Sequence, residues 1–510
     1  NSKWKRLHST LSLLVNTLSE EMEYLSHLQL RHKHFRRIKY DVVILGGGTG
    51  GYVAAIRAAQ LGLKTALVEK EMLGGTCLHK GCIPSKALLK SAEVYDLAKN
   101  QAAEFGVDAK EVSLDFSRVQ ERKDGIIKQL HQGVTGLMKK GKIDVFEGLG
   151  RMLGPSIFSP MPGTISVEMT NGDENEMLIL KHLIIATGSR PRTLPGLEID
   201  EVDVMSSDGA LSMATLPKSM LIVGGGVIGI EWASMLNDFG VDVTVLEYAD
   251  QIIPTEDVDI SKEMKKLLSK KGITFATSAK VLPETLVKEK GSVTISAEIN
   301  GEAKEFTAEK MLVSVGREAN TEGIGIENTE IEVVNGFIQT RPTFQTKEHH
   351  IYAIGDVIGG LQLAHVASHE GIAAVEHIAG LVNEPIDYSK ISRCIYSSPE
   401  ASSVGITEQQ AKAQGFDVKI GKFPFMAIGK ALVNGNSDGF VKLVTDKKTD
   451  DILGVHMIGS HVTELISEAG LAMVLDATPW EVASTIHPHP SLSEVMGEAA
   501  LAVDGKAIHM

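Results

Sequence analysis

A chain of 510 residues, 43% apolar and 23% charged, has room for three or four globular domains of roughly 100–200 residues each. Its net charge of −14 argues against nucleic acid as a partner, and no uncharged apolar run of 18 residues is present to span a membrane. Three cysteines are too few for a disulfide framework and fit a reducing compartment, the cytoplasm or a mitochondrial matrix.

Residues 1–38 carry seven Lys or Arg against three acids. Leu7, Leu11, Leu14, Leu18, Met22, Leu25 and Leu28 fall at helical spacing and predict one amphipathic helix. Glu20, Glu21 and Glu23 count against a transit peptide, which leaves a docking extension or a segment without function. From Tyr40 the pattern becomes regular. A buried strand, residues 40–45, runs into Gly46-Gly47-Gly48-Thr49-Gly50-Gly51, then a helix over 52–61 and a strand over 65–68 that ends in Glu69. This is a βαβ dinucleotide fingerprint: Gly46 makes the turn, Gly48 admits a diphosphate, and Gly51 lets helix and strand close-pack. The helix N-terminus offers free N–H groups to phosphate, and Glu69 can accept both ribose hydroxyls.

Immediately afterwards comes Gly74-Gly75-Thr76-Cys77-Leu78-His79-Lys80-Gly81-Cys82-Ile83-Pro84-Ser85-Lys86. Two of three cysteines, five positions apart and next to a nucleotide site, read as a redox relay rather than a staple.

The fingerprint then repeats. Strand 219–223 leads into Gly224-Gly225-Gly226-Val227-Ile228-Gly229, a helix to Phe239 and a strand ending at Glu247. Gly46 to Gly62 to Glu69 spans 16 and 23 residues, as does Gly224 to Gly240 to Glu247. Glu247 stands where a 2′-phosphate would otherwise sit, and no Arg follows closely, so the second unit takes NAD rather than NADP. The first unit adjoins the cysteines, so its ligand must exchange electrons with a disulfide. Flavin does this, and the first unit takes FAD.

Further along stand Ile185-Ala186-Thr187-Gly188-Ser189, Val315-Gly316-Arg317, Ile351-Tyr352-Ala353-Ile354-Gly355-Asp356, and Gln362-Leu363-Ala364-His365 with Glu370-Gly371. Near the C-terminus comes His487-Pro488-His489-Pro490-Ser491-Leu492-Ser493-Glu494. With these motifs, residues 39–510 resemble the FAD-dependent pyridine nucleotide-disulfide oxidoreductases, and within them are similar to the dihydrolipoamide dehydrogenases. The resemblance implies an α/β fold: two Rossmann-like dinucleotide-binding domains and a C-terminal α+β dimerisation domain. It implies an FAD domain at 39–190, an NAD domain at 191–318, a central segment at 319–387 that completes the FAD site, and an interface domain at 388–510. It adds Lys70, Gly75, Thr76 and Gly150 to the FAD site, with Thr187, Gly188 and Ser189 on the crossover. Asp356 would bond the ribityl chain, and Gln362, Leu363, Ala364 and His365 would run along the flavin. Val281 and Gly316 join the NAD side.

The resemblance also implies roles. His489 is the acid–base and Glu494 orients it; a dithiol must lose a proton to attack a disulfide, and histidine titrates near neutral pH. Cys77 meets the substrate, Cys82 lies against the flavin, and Lys86 with its ion partner Glu231 sits beside it. The chain would form a homodimer in which His489 reaches the partner's disulfide, and it would reoxidise lipoyl domains of the acyltransferase core of a 2-oxo acid dehydrogenase complex. No metal site is expected. Cys394 reads as a buried residue without redox role.

Three departures stand out. Pro488 replaces a small residue, Ala319 stands where proline is common, and His79-Lys80 puts a cation where many relatives are neutral. That last change could depress a thiol pKa or favour one lipoyl partner; it inclines the reading towards a branched-chain complex. Glutathione reductase would want basic residues after the second fingerprint, and mercuric reductase a further cysteine pair. The alternatives are another disulfide reductase of this scaffold, or a docking flavoprotein subunit of a multienzyme complex.

Overall fold

Unbroken apolar runs such as 42–45 and 220–223 suit strands buried on both faces, and each lies at the heart of a parallel sheet. The computed structural model describes residues 38–155, 163–382 and 384–509, so the helix read over the first 37 residues lies outside the described residues.

In the first sheet the parallel order is Asp144–Leu153, Thr65–Glu69, Ile38–Leu45, Glu176–Ile185 and Ile351–Ala353. The strand Thr164–Met169 bridges the far ends of Asp144–Leu153 and Glu176–Ile185 in antiparallel fashion. The late strand Ile351–Ala353 thus returns to the first unit, and the helix Ala364–Ile378 packs on the fingerprint helix Thr49–Gln60. Their crossing is close because Gly371 meets Gly50: a Cβ on Gly371 would lie 2.7 Å from the Gly50 carbonyl oxygen. The fingerprint helix starts at Thr49 rather than Tyr52, so Gly50 and Gly51 form its first turn and leave that turn's N–H groups bare.

The second sheet is also parallel, ordered Thr274–Ala276, Asp242–Leu246, Ser219–Val223, Lys310–Val313 and Val204–Ser206. Both crossover segments meet in one short antiparallel ladder, Ser189–Pro191 with Arg317–Ala319. The C-terminal part is a five-stranded antiparallel sheet backed by the helices Val462–Val474 and Glu494–Ala502, whose Val462, Ile466, Val495 and Ala499 enter one apolar core.

A buried ionic cluster joins this part to the second unit. The Lys442 side chain is fully buried, with its Nζ 2.9 Å from Asp257, 3.0 Å from Asp259 and 2.7 Å from Glu408. Asp257 also caps the helix Val258–Lys270. Removing the lysine would strand the buried Asp257 carboxylate at a cost of about 3–5 kcal/mol.

Candidate active site

Both phosphate turns are built alike. Gly46 (φ +109°) and Gly224 (φ +110°) adopt a left-handed backbone, and a Cβ there would lie 2.2 and 2.3 Å from the carbonyl oxygens of Ala186 and Ser314. A Cβ on Gly51 or Gly229 would lie 1.9 Å from the carbonyl oxygen of Gly46 or Gly224, so helix and strand touch as the spacing predicts. Neither Gly48 nor Gly226, which cap the two helices, brings a side-chain cap. A Cβ on Gly226 would meet nothing within 4 Å, and one on Gly48 only the Gly75 Cα at 4.0 Å. Uncapped N–H groups facing room that only glycine leaves open fit two diphosphates.

The two terminal acids match as well. Glu69 accepts the N–H groups of Gly47 and Glu71, both at 2.7 Å; Glu247 accepts those of Gly225 at 2.6 Å and Ala249 at 2.7 Å. Each carboxylate is therefore fixed, with lone pairs left for ribose hydroxyls. Lys70 is exposed beside Glu71. Val281 lies two residues after Ala279, whose N–H bonds the Glu247 carbonyl at 2.8 Å. Gly150 is buried, and a Cβ there would press within 2.4 Å of Leu45.

At the crossover, Thr187 and Asn320 exchange two hydrogen bonds of 2.7 and 2.9 Å. Gly188 and Gly316 take positive φ of 69° and 108°, each turning the chain into one strand of the ladder. Arg317 donates to the Ser189 hydroxyl at 2.7 Å and to its carbonyl at 2.8 Å, and that hydroxyl donates to Asp356. Asp356 follows Gly355, whose N–H bonds Glu370 at 2.6 Å; Tyr388 donates to the same carboxyl at 2.7 Å, and burial pushes the Glu370 pKa up. Leu363 caps the helix Ala364–Ile378, and His365 lies 3.0 Å from the Ser392 carbonyl. The buried Gln362 Nε2 has no partner among the described residues, a donor still to be met in the segment expected along the flavin.

Cys77 lies in the short helix Gly75–His79, with Thr76 before it, and Cys82 opens the helix Cys82–Asp96. Both are free thiols. Hydrogen bonding with Cys77, with help from the Lys86 ammonium and against burial, brings Cys82 down to about 7; hydrogen bonding with Cys82 and burial push Cys77 up. Lys86 binds Glu231 at 2.7 Å, across the gap between the two nucleotide units, and its Nζ sits 4.7 Å over the Tyr396 ring. The Tyr396 N–H donates to Glu231 at 3.0 Å. The family resemblance names Lys86 and Glu231 but not Tyr396, which comes from the start of the C-terminal part.

His489 Nδ1 lies 2.8 Å from Glu494 Oε1, and the Ser491 N–H bonds the other oxygen at 2.9 Å. The Ser491 N–H first, then His489, holds Glu494 below the usual carboxylate range. The His489 side chain is 79% exposed, and among the described residues no hydrogen bond or ion pair links it to the cysteines of its own chain. His487, nearly buried, makes a second pair with Glu468 at 2.7 Å that sequence reading misses. Cys394 is half-buried, and burial raises its thiol to about 11.

Residues 40–371 match the family described as pyridine nucleotide-disulphide oxidoreductase, and residues 391–500 match its dimerisation domain. Over 471 residues the chain is 71% identical to a dihydrolipoyl dehydrogenase of Bacillus subtilis (strain 168), covering 92% of this chain and 99% of that one. It is 42% identical to a mitochondrial dihydrolipoyl dehydrogenase of Pisum sativum, covering 96% and 97%. Among solved structures, LpdA from Mycobacterium tuberculosis has a TM-score of 0.82 at 25% identity, over 90% of this chain and 98% of that one. So high an identity along nearly the whole of a relative, on top of both family matches, leaves one conclusion: this chain belongs to the pyridine nucleotide-disulphide oxidoreductases.

Proposed function

We propose that the chain oxidises protein-bound dihydrolipoyl groups through Cys77 and Cys82, with FAD on the first unit and NAD+ on the second. The observation that carries this reading is the cysteine pair held beside the first phosphate turn, where Gly74 bonds Gly47, with the Lys86–Glu231 ion pair on the helix that Cys82 opens. Bound FAD supplies two-electron acceptance from a thiolate, and NAD+ takes the resulting hydride. Gly46, Gly48, Gly51, Glu69, Ser189 and Asp356 hold the first; Gly224, Gly226, Gly229 and Glu247 hold the second.

The oxidised enzyme carries the Cys77–Cys82 disulfide. His489 takes the proton of one substrate thiol, and Glu494 holds its other ring nitrogen. The thiolate attacks Cys77 Sγ; a mixed disulfide forms, and Cys82 leaves as a thiolate that Lys86 favours. The second substrate thiol attacks the substrate sulfur of the mixed disulfide and closes the lipoyl disulfide; Cys77 leaves and takes that thiol's proton, while the first proton stays on His489.

An exposed His489 suits a base that works in the partner's site. Leu471, Val474, Leu475, Trp480 and Ile486 are exposed on the C-terminal helices and nearby chain, an apolar face for the homodimer. Domain bounds of 39–190, 191–318, 319–387 and 388–510 describe its parts. Lipoyl domains of a 2-oxo acid dehydrogenase complex are its substrate partners, in the cytoplasm. Among the described residues no helix is long and apolar enough to cross a membrane.

The test is NAD+ reduction by dihydrolipoamide with the flavin-loaded protein, against NADP+ and against Cys77→Ser. Brisk NAD+-dependent turnover that vanishes in the variant supports the reading. NADPH-driven reduction of a different disulfide, with no turnover of dihydrolipoamide, overturns it.

A further inference from the structure

The departure His79-Lys80 has a structural counterpart. His79 Nε2 lies 2.9 Å and His131 Nδ1 3.0 Å from the same Leu73 carbonyl oxygen. A carbonyl only accepts, so both nitrogens carry protons and each oxygen lone pair is used. The rings meet edge to face at 5.3 Å. His79 ends the short helix Gly75–His79 that carries Cys77, and Leu73 lies two residues before that helix starts. His131 stands on the long helix Phe116–Lys140.

The segment so gripped leans on the phosphate turn. Gly74 donates to the Gly47 carbonyl at 2.8 Å, and a Cβ on Gly75 would come within 2.6 Å of the Gly48 Cα. Lys80 adds an ion pair of 2.6 Å to Glu71, whose own N–H holds Glu69. Lys80 and Glu71 are each about half exposed, so that pair contributes little by itself. The two histidines, partly buried, do more.

We propose that His79 and His131 are positioning residues for thiol–disulfide exchange: their shared grip on the Leu73 carbonyl fixes the helix that aims Cys77 at the incoming thiol. Among the described residues neither makes a hydrogen bond to a cysteine sulfur. The inference deepens the function proposed above and rests on it for the identity of the dithiol. Misaiming a nucleophilic displacement slows it steeply, because the three sulfurs must stand in line.

The experiment separates the two half-reactions of the holoenzyme in a rapid-mixing instrument. Reduction by dihydrolipoamide, and by dithiothreitol as a generic dithiol, reads exchange at Cys77. Oxidation of pre-reduced enzyme by NAD+ reads the other half. His79→Ala and His131→Ala should each slow the first about tenfold, or about 1.4 kcal/mol, and leave the second unchanged. His79→Gln, which keeps an N–H donor at similar reach, should recover most of the rate. Equal losses in both halves, no loss with either dithiol, or a Gln variant no faster than Ala would each overturn the proposal. Wild-type enzyme reduced by dithiothreitol but not by dihydrolipoamide would sink the lipoyl reading alone and leave the positioning test intact.

Discussion

Two phosphate turns of one design meet different surroundings. In the first unit, Gly48 faces the Gly75 Cα at 4.0 Å, the helix Ala364–Ile378 covers the fingerprint helix, and Asp356 arrives from a late strand. In the second, a Cβ on Gly226 would meet nothing within 4 Å, and the later segment 396–398 bonds the fingerprint helix further along, at Glu231 and Ser234. On the function proposed above, the same backbone chemistry would serve a retained group in one place and an exchanging one in the other, with enclosure rather than the fingerprint itself making the difference.

The sharpest way to break that contrast is to cut the relay that only the first unit owns. Cys77→Ser should reduce NAD+-linked turnover of dihydrolipoamide roughly a thousandfold or more, since a group that forms the covalent bond has no substitute. NADH oxidation by ferricyanide, which needs both nucleotide units but no disulfide, should persist. If both activities fall together, the cysteines are supporting the fold of the first unit rather than carrying electrons.

Next come the turn glycines. Gly48→Ala and Gly226→Ala both leave room for folding, because no described atom lies closer than 4.0 Å to either new Cβ. Gly48→Ala should yield protein that loses FAD on gel filtration. Gly226→Ala should keep its FAD and raise the KM for NAD+ about tenfold, a loss of about 1.4 kcal/mol in binding. Flavin loss from the second variant would mean the assignment of ligands to units is reversed.

A smaller effect is due at the acids. Glu247 is held by two backbone N–H groups as Glu69 is, so Glu247→Gln should keep the turn while weakening the ribose contact. The ratio of kcat/KM for NAD+ over NADP+ should fall several-fold, with FAD content unchanged. A ratio that does not move would show that the second unit selects its coenzyme elsewhere.

These positions could be named from sequence because each is local. Turn glycines, terminal acid and cysteine pair are fixed within one turn or one βαβ unit, where spacing dictates geometry, and the His489–Glu494 pair follows from the family resemblance. Tyr396 under Lys86, Glu468 on His487, and Tyr388 on Glu370 were not legible, since packing between distant segments chooses those partners. Lys442 is the extreme case. It sits in the strand Phe440–Asp446, which is buried along its whole length, and its partner Asp257 is 185 residues away. A lysine inside an apolar strand signals that some carboxylate must meet it, but only the tertiary fold says which.

The subtlest prediction concerns the bridge between the two units. Lys86 lowers the Cys82 pKa while Glu231, its partner, raises it; the Cys77 hydrogen bond is the largest lowering influence. Removing the cation alone leaves the Glu231 carboxylate unopposed near the sulfur. Lys86→Met should therefore move the Cys82 thiolate upward from about 7 by about one unit. The double variant Lys86→Met/Glu231→Gln removes both charges and should move it less. Alkylation of pre-reduced enzyme by iodoacetamide across pH reads this directly: below the thiolate pKa the rate falls, so the acid limb shifts to higher pH as the pKa rises. If the limb stays near 7 in both variants, the hydrogen bond from Cys77 suffices, and the ion pair serves only to tie the two nucleotide units together.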